Sequence, residues 1–214
     1  MNARKIQAGA KRYYTLVFGL LVVAGTALAL DPVDHQPIAT LRDSLKNAGQ
    51  VRIAQGLQYI AARDAKTGEL FTTRWMLMLT TNQQTGEWTV SVIHDKLVGS
   101  TLLIGTNFQR MSNSEEVALP TFDRAKAQQV IAKLKADGAA YYPEEIKRLM
   151  QDHNSRRAFT GKVSAVTDTD FKDNMQPVFA DVLVASNGDF SILVVDQYGA
   201  CAKIAIGGTF AEKP

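Results

Sequence analysis

Apolar and polar residues alternate along eight stretches of the chain, and each group of four such stretches is preceded by apolar residues at helical spacing. In the first group the helix is expected near 36 to 48, with Leu41 and Leu45 on one face, and strands near 51 to 62, 70 to 81, 87 to 95 and 101 to 110. In the second group the helix is expected near 143 to 153, with Ile146 and Met150 on one face. Its strands are expected near 157 to 168, 177 to 186, 189 to 197 and 202 to 210. Pro37 and Pro143 stand near the helix starts, and Gly49 and Asn154, residues tolerant of a left-handed cap, stand past the ends.

The two groups resemble each other in their residues. "WTVSVIHDKLVGSTLLIGTNF" (88 to 108) aligns without a gap on "FSILVVDQYGACAKIAIGGTF" (190 to 210) at an offset of 102. Upstream, "RWMLMLTTN" aligns on "FADVLVASN" at an offset of 105, and Gly56 on Gly161 at the same offset. The longer turn "QQTGE" against "GD" accounts for the difference, and Asn-Gly between alternating runs signals a hairpin. The expected fold class is therefore α+β: a tandem repeat of a helix plus a four-stranded antiparallel meander, about eight strands in total, each helix lying on its meander's apolar face. By strand alternation the even positions Leu102, Ile104 and Phe108, with Ile204, Ile206 and Phe210, line the core. Gly105 and Gly207 then fall on the opposite face, where a missing side chain admits a bulge or another backbone.

Between the groups, "RMSNSEEVALP" reads as a polar linker. "TFDRAKAQQVIAKLKADG" reads as an additional helix with Thr121 as N-cap, Gly138 past its end, and Ala127, Val130, Ile131 and Leu134 on one face. The organisation is thus a leader over 1 to 29, a first repeat over 30 to 110, a linker and connecting helix over 111 to 138, and a second repeat over 139 to 214.

The leader changes the reading of location. Arg4, Lys5, Lys11 and Arg12 precede an uncharged run from Tyr13 to Leu30 that contains the small-x-small triplet Ala27-Leu28-Ala29. This is the pattern of a secretory signal peptide, and the run is also just long enough to serve as an uncleaved anchor through residues 13 to 30. Either way residues 31 to 214 are expected outside the cytoplasm, periplasmic or secreted in the first case and inner-membrane anchored in the second. The formal charge of +3 comes from 24 basic and 21 acidic residues, and four of the basic ones lie in the leader, so the rest carries 20 minus 21, or −1. A nearly neutral domain lacks the electrostatic footprint of a nucleic-acid binder. Arg156-Arg157 reads as a solvated pair ahead of a strand.

Candidate chemistry is sparse. His94-Asp95 is the most enzyme-like pair, although alternation sends the two side chains to opposite faces. Cys201 is the lone cysteine, so no internal disulfide forms, and "YGACAKI" carries no hydrolase signature. "DTDFKDN" resembles an oxygen-rich calcium loop but has Lys172 at a ligand position, and reads as a solvent-facing connection. His35, His94 and His153 lie far apart in sequence, without zinc-ligand spacing. No catalytic set, metal or cofactor is implied. Trp75 and Trp88 bracket the first hairpin, and Met76 and Met78 stand on the face opposite Trp75. With His94, Gly105 and Gly207 they form the candidate ligand or partner contacts. The expected function is a non-catalytic cell-envelope module that binds another envelope protein or assists assembly. The alternatives are a small apolar-ligand binder and an exported hydrolase using His94 or Cys201.

Overall fold

A computed structural model describes residues 35–63, 70–94, 98–112, 120–134 and 138–213. The leader lies outside these residues, as do Asp95 and most of the interhelical linker. No helix among the described residues is long and apolar enough to cross a membrane.

The elements follow in the order β1 (Gln36–Pro37), α1 (Ile38–Asn47), β2 (Val51–Arg63), β3 (Leu70–Thr81), β4 (Trp88–Ile93) and β5 (Val98–Arg110). After α2 (Arg124–Ile131) and β6 (Ala140–Tyr141) come α3 (Tyr142–Asp152), β7 (Ser155–Val166), α4 (Thr169–Asn174), β8 (Pro177–Ala185), β9 (Phe190–Asp196) and β10 (Ala200–Glu212). Strands make up 55% of the described residues and helices 21%, so the chain is mostly β.

The expected α+β repeat is corrected by the sheet topology. The order β5-β4-β3-β2-β10-β9-β8-β7 closes on itself through β5–β7, giving one eight-stranded antiparallel barrel. Two separate meanders would leave β2, β5, β7 and β10 as edges with unpaired backbone groups; pairing β5 with β7 and β10 with β2 removes all four. An eight-stranded barrel has an interior just wide enough for its own side chains, so the helices lie outside it. Leu41 and Leu45 of α1 pack on Met76, Met78 and Ile93; Tyr142, Ile146 and Leu149 of α3 pack on Leu183, Leu193, Val195 and Cys201.

The interior is filled. Leu77, Leu79, Trp88, Val90, Leu103, Phe159, Val182 and Ile192 are buried there, and Phe171 of α4 and Met175 just after it pack against them. "DTDFKDN" is accordingly a short helix that plugs one barrel end, where the sequence pattern suggests a solvated turn. At the other end aromatic rings stand in a chain: Trp88 and Phe108 at 6.0 Å, Phe108 and Phe159 at 5.3 Å, Phe159 and Phe210 at 6.3 Å, and Phe190 and Phe210 at 5.4 Å. α2 is capped by Asp123, whose carboxylate accepts from the Lys126 amide, two residues beyond the expected cap at Thr121.

β-Bulges overturn the simple alternation. Leu102 is the extra residue opposite Val90 and Ser91, and Ile204 is the extra residue in β10 opposite β9, at the same offset of 102. Ile53 and Ala158 are likewise extra in β2 and β7. Each bulge reverses which side chains face inward. Ile206 is therefore outside and 46% exposed, and Gly105 and Gly207 face the interior aromatics, both opposite to the alternation-based expectation. The bulge pairing also equates β3 with β8 at an offset of 103, Leu79 matching Val182, in place of the 105 read from the residues.

Each seam between the halves carries one device. Asn107 and Phe108 oppose Gly161 across β5–β7, and Thr209 and Phe210 oppose Gly56 across β10–β2. Asn107 (φ 53°) and Thr209 (φ 54°) are left-handed, and the following amides donate to Gly86 and Gly188 in the neighbouring hairpin turns. Trp88 rests against Gly105 and Gly161, and its indole donates to the Lys162 carbonyl at 3.2 Å; Phe190 rests against Gly207 and Gly56. A β-branched residue is strained in the left-handed region, whereas asparagine tolerates it. Thr209→Asn, which copies position 107, is expected to stabilise the fold by about 1 kcal/mol in urea unfolding. A destabilised variant would show that the threonine side chain contributes more than its strain costs.

Candidate functional site

Corresponding outer rows of the two halves differ in exposure. In the first half Thr80, Thr89 and Ile104 are neighbours across β3, β4 and β5, and Ile104 is 4% exposed. In the second half the matching row is Leu183, Ser191 and Ile206, and there the seam lies open. A groove of about 710 Å³ runs over it, between the C-terminal end of α3 and the outer face of β9, β10 and β2. Its floor holds Ile206, Gly207, Leu149 and Phe190, with Tyr59 at one side; Ser155, Ser186, Asn154 and Asn187 supply hydrogen-bonding groups around it.

Local sequence builds this shape. Asn154 (φ 46°) ends α3 and turns the chain into β7, and Asn187-Gly188 closes the β8–β9 turn with Gly188 at φ 85°. Gly208 has no side chain where the Tyr59 hydroxyl and Asp189 approach, which leaves room for the hydroxyl end of Tyr59 over β10. The wall beneath α3 is polar. Glu145 binds Lys203 and Arg148, each at 2.7 Å. Burial alone would raise the Glu145 carboxyl, but the hydrogen bonds from Arg148 and Lys203 outweigh it and hold the group below its ordinary value.

Deeper under α3, Arg157 pairs with Asp181 at 2.8 Å and donates to the Tyr142 hydroxyl, which itself donates to Asp181. Burial first, then the Asp181 charge, push the Tyr142 phenol upward, so it stays an O–H donor. Arg157 is thus a largely enclosed structural cation, its side chain 10% exposed, where the sequence suggests a solvated one; its neighbour Arg156 reaches Glu212 instead. Arg157 Nε and Asp181 Oδ1 remain buried without partners. Sequence reading passes over this cluster, although one signal is visible: Asp181 interrupts the apolar run "FADVLVA".

The residues singled out from sequence are dispersed. Met76 and Met78 lie under α1. Trp88 fills the β5–β7 seam with Gly105 beside it, and Gly207 alone borders the groove. Trp75 and His94 do meet, their rings 4.1 Å apart, and His35 joins them at 4.7 Å from His94 despite the long separation in sequence. His94 Nε2 is 2.7 Å from Ser100 Oγ, which also accepts from the His35 amide at 3.0 Å. Ser100 is 1% exposed, so its hydroxyl is enclosed in the wall rather than presented to a substrate. His153 stands apart from this pair, at the groove. Among the described residues no group of three or more His, Cys, Asp or Glu is placed to hold a metal.

Cys201 occupies, beneath α3, the position that Gly99 occupies beneath α1. Burial, then the Glu145 charge, push its thiol up to about 12, so the thiolate needed for nucleophilic attack is absent at neutral pH. Native protein at pH 8 is expected to leave an aromatic disulfide reagent unreacted, and denatured protein to release one thiol equivalent per chain. Rapid reaction of the native chain would place Cys201 at the surface.

Comparison with known protein families, characterised proteins and solved structures returned no match for this chain.

Proposed function

We propose that the chain is an exported cell-envelope protein that acts by binding, without catalysis, and that the groove over the β10–β2 seam holds an extended segment of another envelope protein. The basic and apolar leader pattern motivates export. The observation that carries the binding reading is the asymmetry of the duplicated outer seam: Ile104 is covered, while its counterpart Ile206 stands exposed in a groove rimmed by amide and hydroxyl side chains. Such a rim suits the backbone of an extended chain, and the apolar floor suits one of its side chains. The packed barrel interior turns the reading away from an enclosed apolar ligand. The enclosed Ser100 and the protonated, buried Cys201 favour binding over hydrolysis.

The test is site-specific photo-crosslinking of the full chain in its own cells. A photoreactive residue at Ile206 is expected to give a protein adduct of discrete mass. The same residue at Val178, also exposed but on β8, is expected to give none. No adduct at 206, or the same adducts at both positions, would overturn the proposal.

A further inference from the structure

The groove's charges say more about its occupant. Two cations, Arg148 and Lys203, and two carboxylates, Asp152 and Asp189, line the groove together with His153. Glu145 already engages both cations. Asp152 closes α3, where the helix dipole is negative, and no basic residue stands in that last turn to offset it. Asp189 leans over Gly208 on the far wall, oriented by the Asn187 amide at 2.8 Å. Both acids line the groove together with Ile206 and Tyr59.

Resting on the binding reading above, we infer that the groove is selective for an extended protein segment that carries an apolar side chain next to a lysine or arginine. The apolar group covers Ile206 and the edge of Tyr59, removing the largest exposed aliphatic of the groove from water. The cation approaches Asp152 and the carbonyl end of α3, or Asp189 across the floor, and supplies the compensation that the last turn of α3 lacks. An acidic segment would meet the carboxylates of Asp152 and Asp189, while both lining cations are already engaged by Glu145. Charge complementarity of this kind sets partner choice more than total affinity.

Selection of short random peptides displayed on phage, with the full chain as bait, tests this directly. Sequences placing Lys or Arg beside an aliphatic residue are expected to be enriched. A synthetic peptide of that selected sequence is expected to bind an Asp152→Asn, Asp189→Asn double variant roughly tenfold more weakly, the effect of losing two exposed ion pairs. It is expected to lose binding to Ile206→Asp, and to weaken as salt is raised. Enrichment of acidic peptides, equal binding to the double variant, or failure to select any peptide that depends on Ile206 would overturn the inference. The two readings separate cleanly. A crosslinked partner at position 206 combined with charge-blind peptides removes only the selectivity, whereas an adduct twice the mass of this chain, or a carbohydrate adduct, removes the protein partner itself.

Discussion

Gly105→Ala is expected to destabilise the barrel by about 3 kcal/mol, the upper part of the range for overpacking a filled core, and to lower Tm by roughly 6–12 °C. A Cβ at this position would fall on the Lys162 carbonyl oxygen across the β5–β7 seam and lie 2.7 Å from Trp88 Cε2. Neither neighbour yields easily. The carbonyl belongs to the strand that closes the barrel, and the Trp88 indole is fixed by its hydrogen bond to that same carbonyl. Gly207→Ala is expected to behave alike, since its Cβ would fall on the Leu57 carbonyl and lie 2.7 Å from Phe190 Cε1. Calorimetry of both variants reads the effect. A loss near zero in either would mean that its seam does not close as described.

Asp181→Ala is expected to cost about 3–5 kcal/mol, because it leaves the Arg157 cation buried and unpaired. The first half shows the alternative solution: Met78 stands where Asp181 stands, and α1 seats on it through apolar contact alone. The triple variant Tyr142→Phe, Arg157→Met and Asp181→Leu, which removes the whole cluster, is expected to recover most of that loss in urea unfolding, as replacing a buried ion pair by packed apolar groups usually does. Recovery that fails would mean that the cluster stabilises the seat of α3 beyond satisfying its own members.

Much of the local structure was legible in the residues, since alternation marks strands whichever way they pair. Leu70–Thr81 appears as a strand from Trp75, Leu77 and Leu79 alone, and Gly49 and Asn154 mark the ends of α1 and α3 through their left-handed backbones. The closure of the barrel was not legible, because the pairing of Gly207 with Gln58 joins distant parts of the chain and leaves no local pattern. Bulges hid the rest: a single extra residue at Leu102 or Ile204 reverses the inward phase, and nothing in "TLLIGT" or "AKIAIG" distinguishes a bulged strand from a regular one. The groove was hidden for the same reason. Ile206 reads as core by alternation and becomes surface only after the bulge. Sequence separation likewise concealed the meeting of His35 with His94.

Backbone hydrogen exchange, measured on the chain with and without the partner crosslinked through position 206, locates the binding surface most directly. Protection is expected over 55–59 of β2, 203–208 of β10 and the last turn of α3, with β4 and the α1 side of the barrel unchanged. Protection confined to the barrel end around Trp75 and His94, or spread evenly over the barrel strands, would contradict binding at the β10–β2 seam.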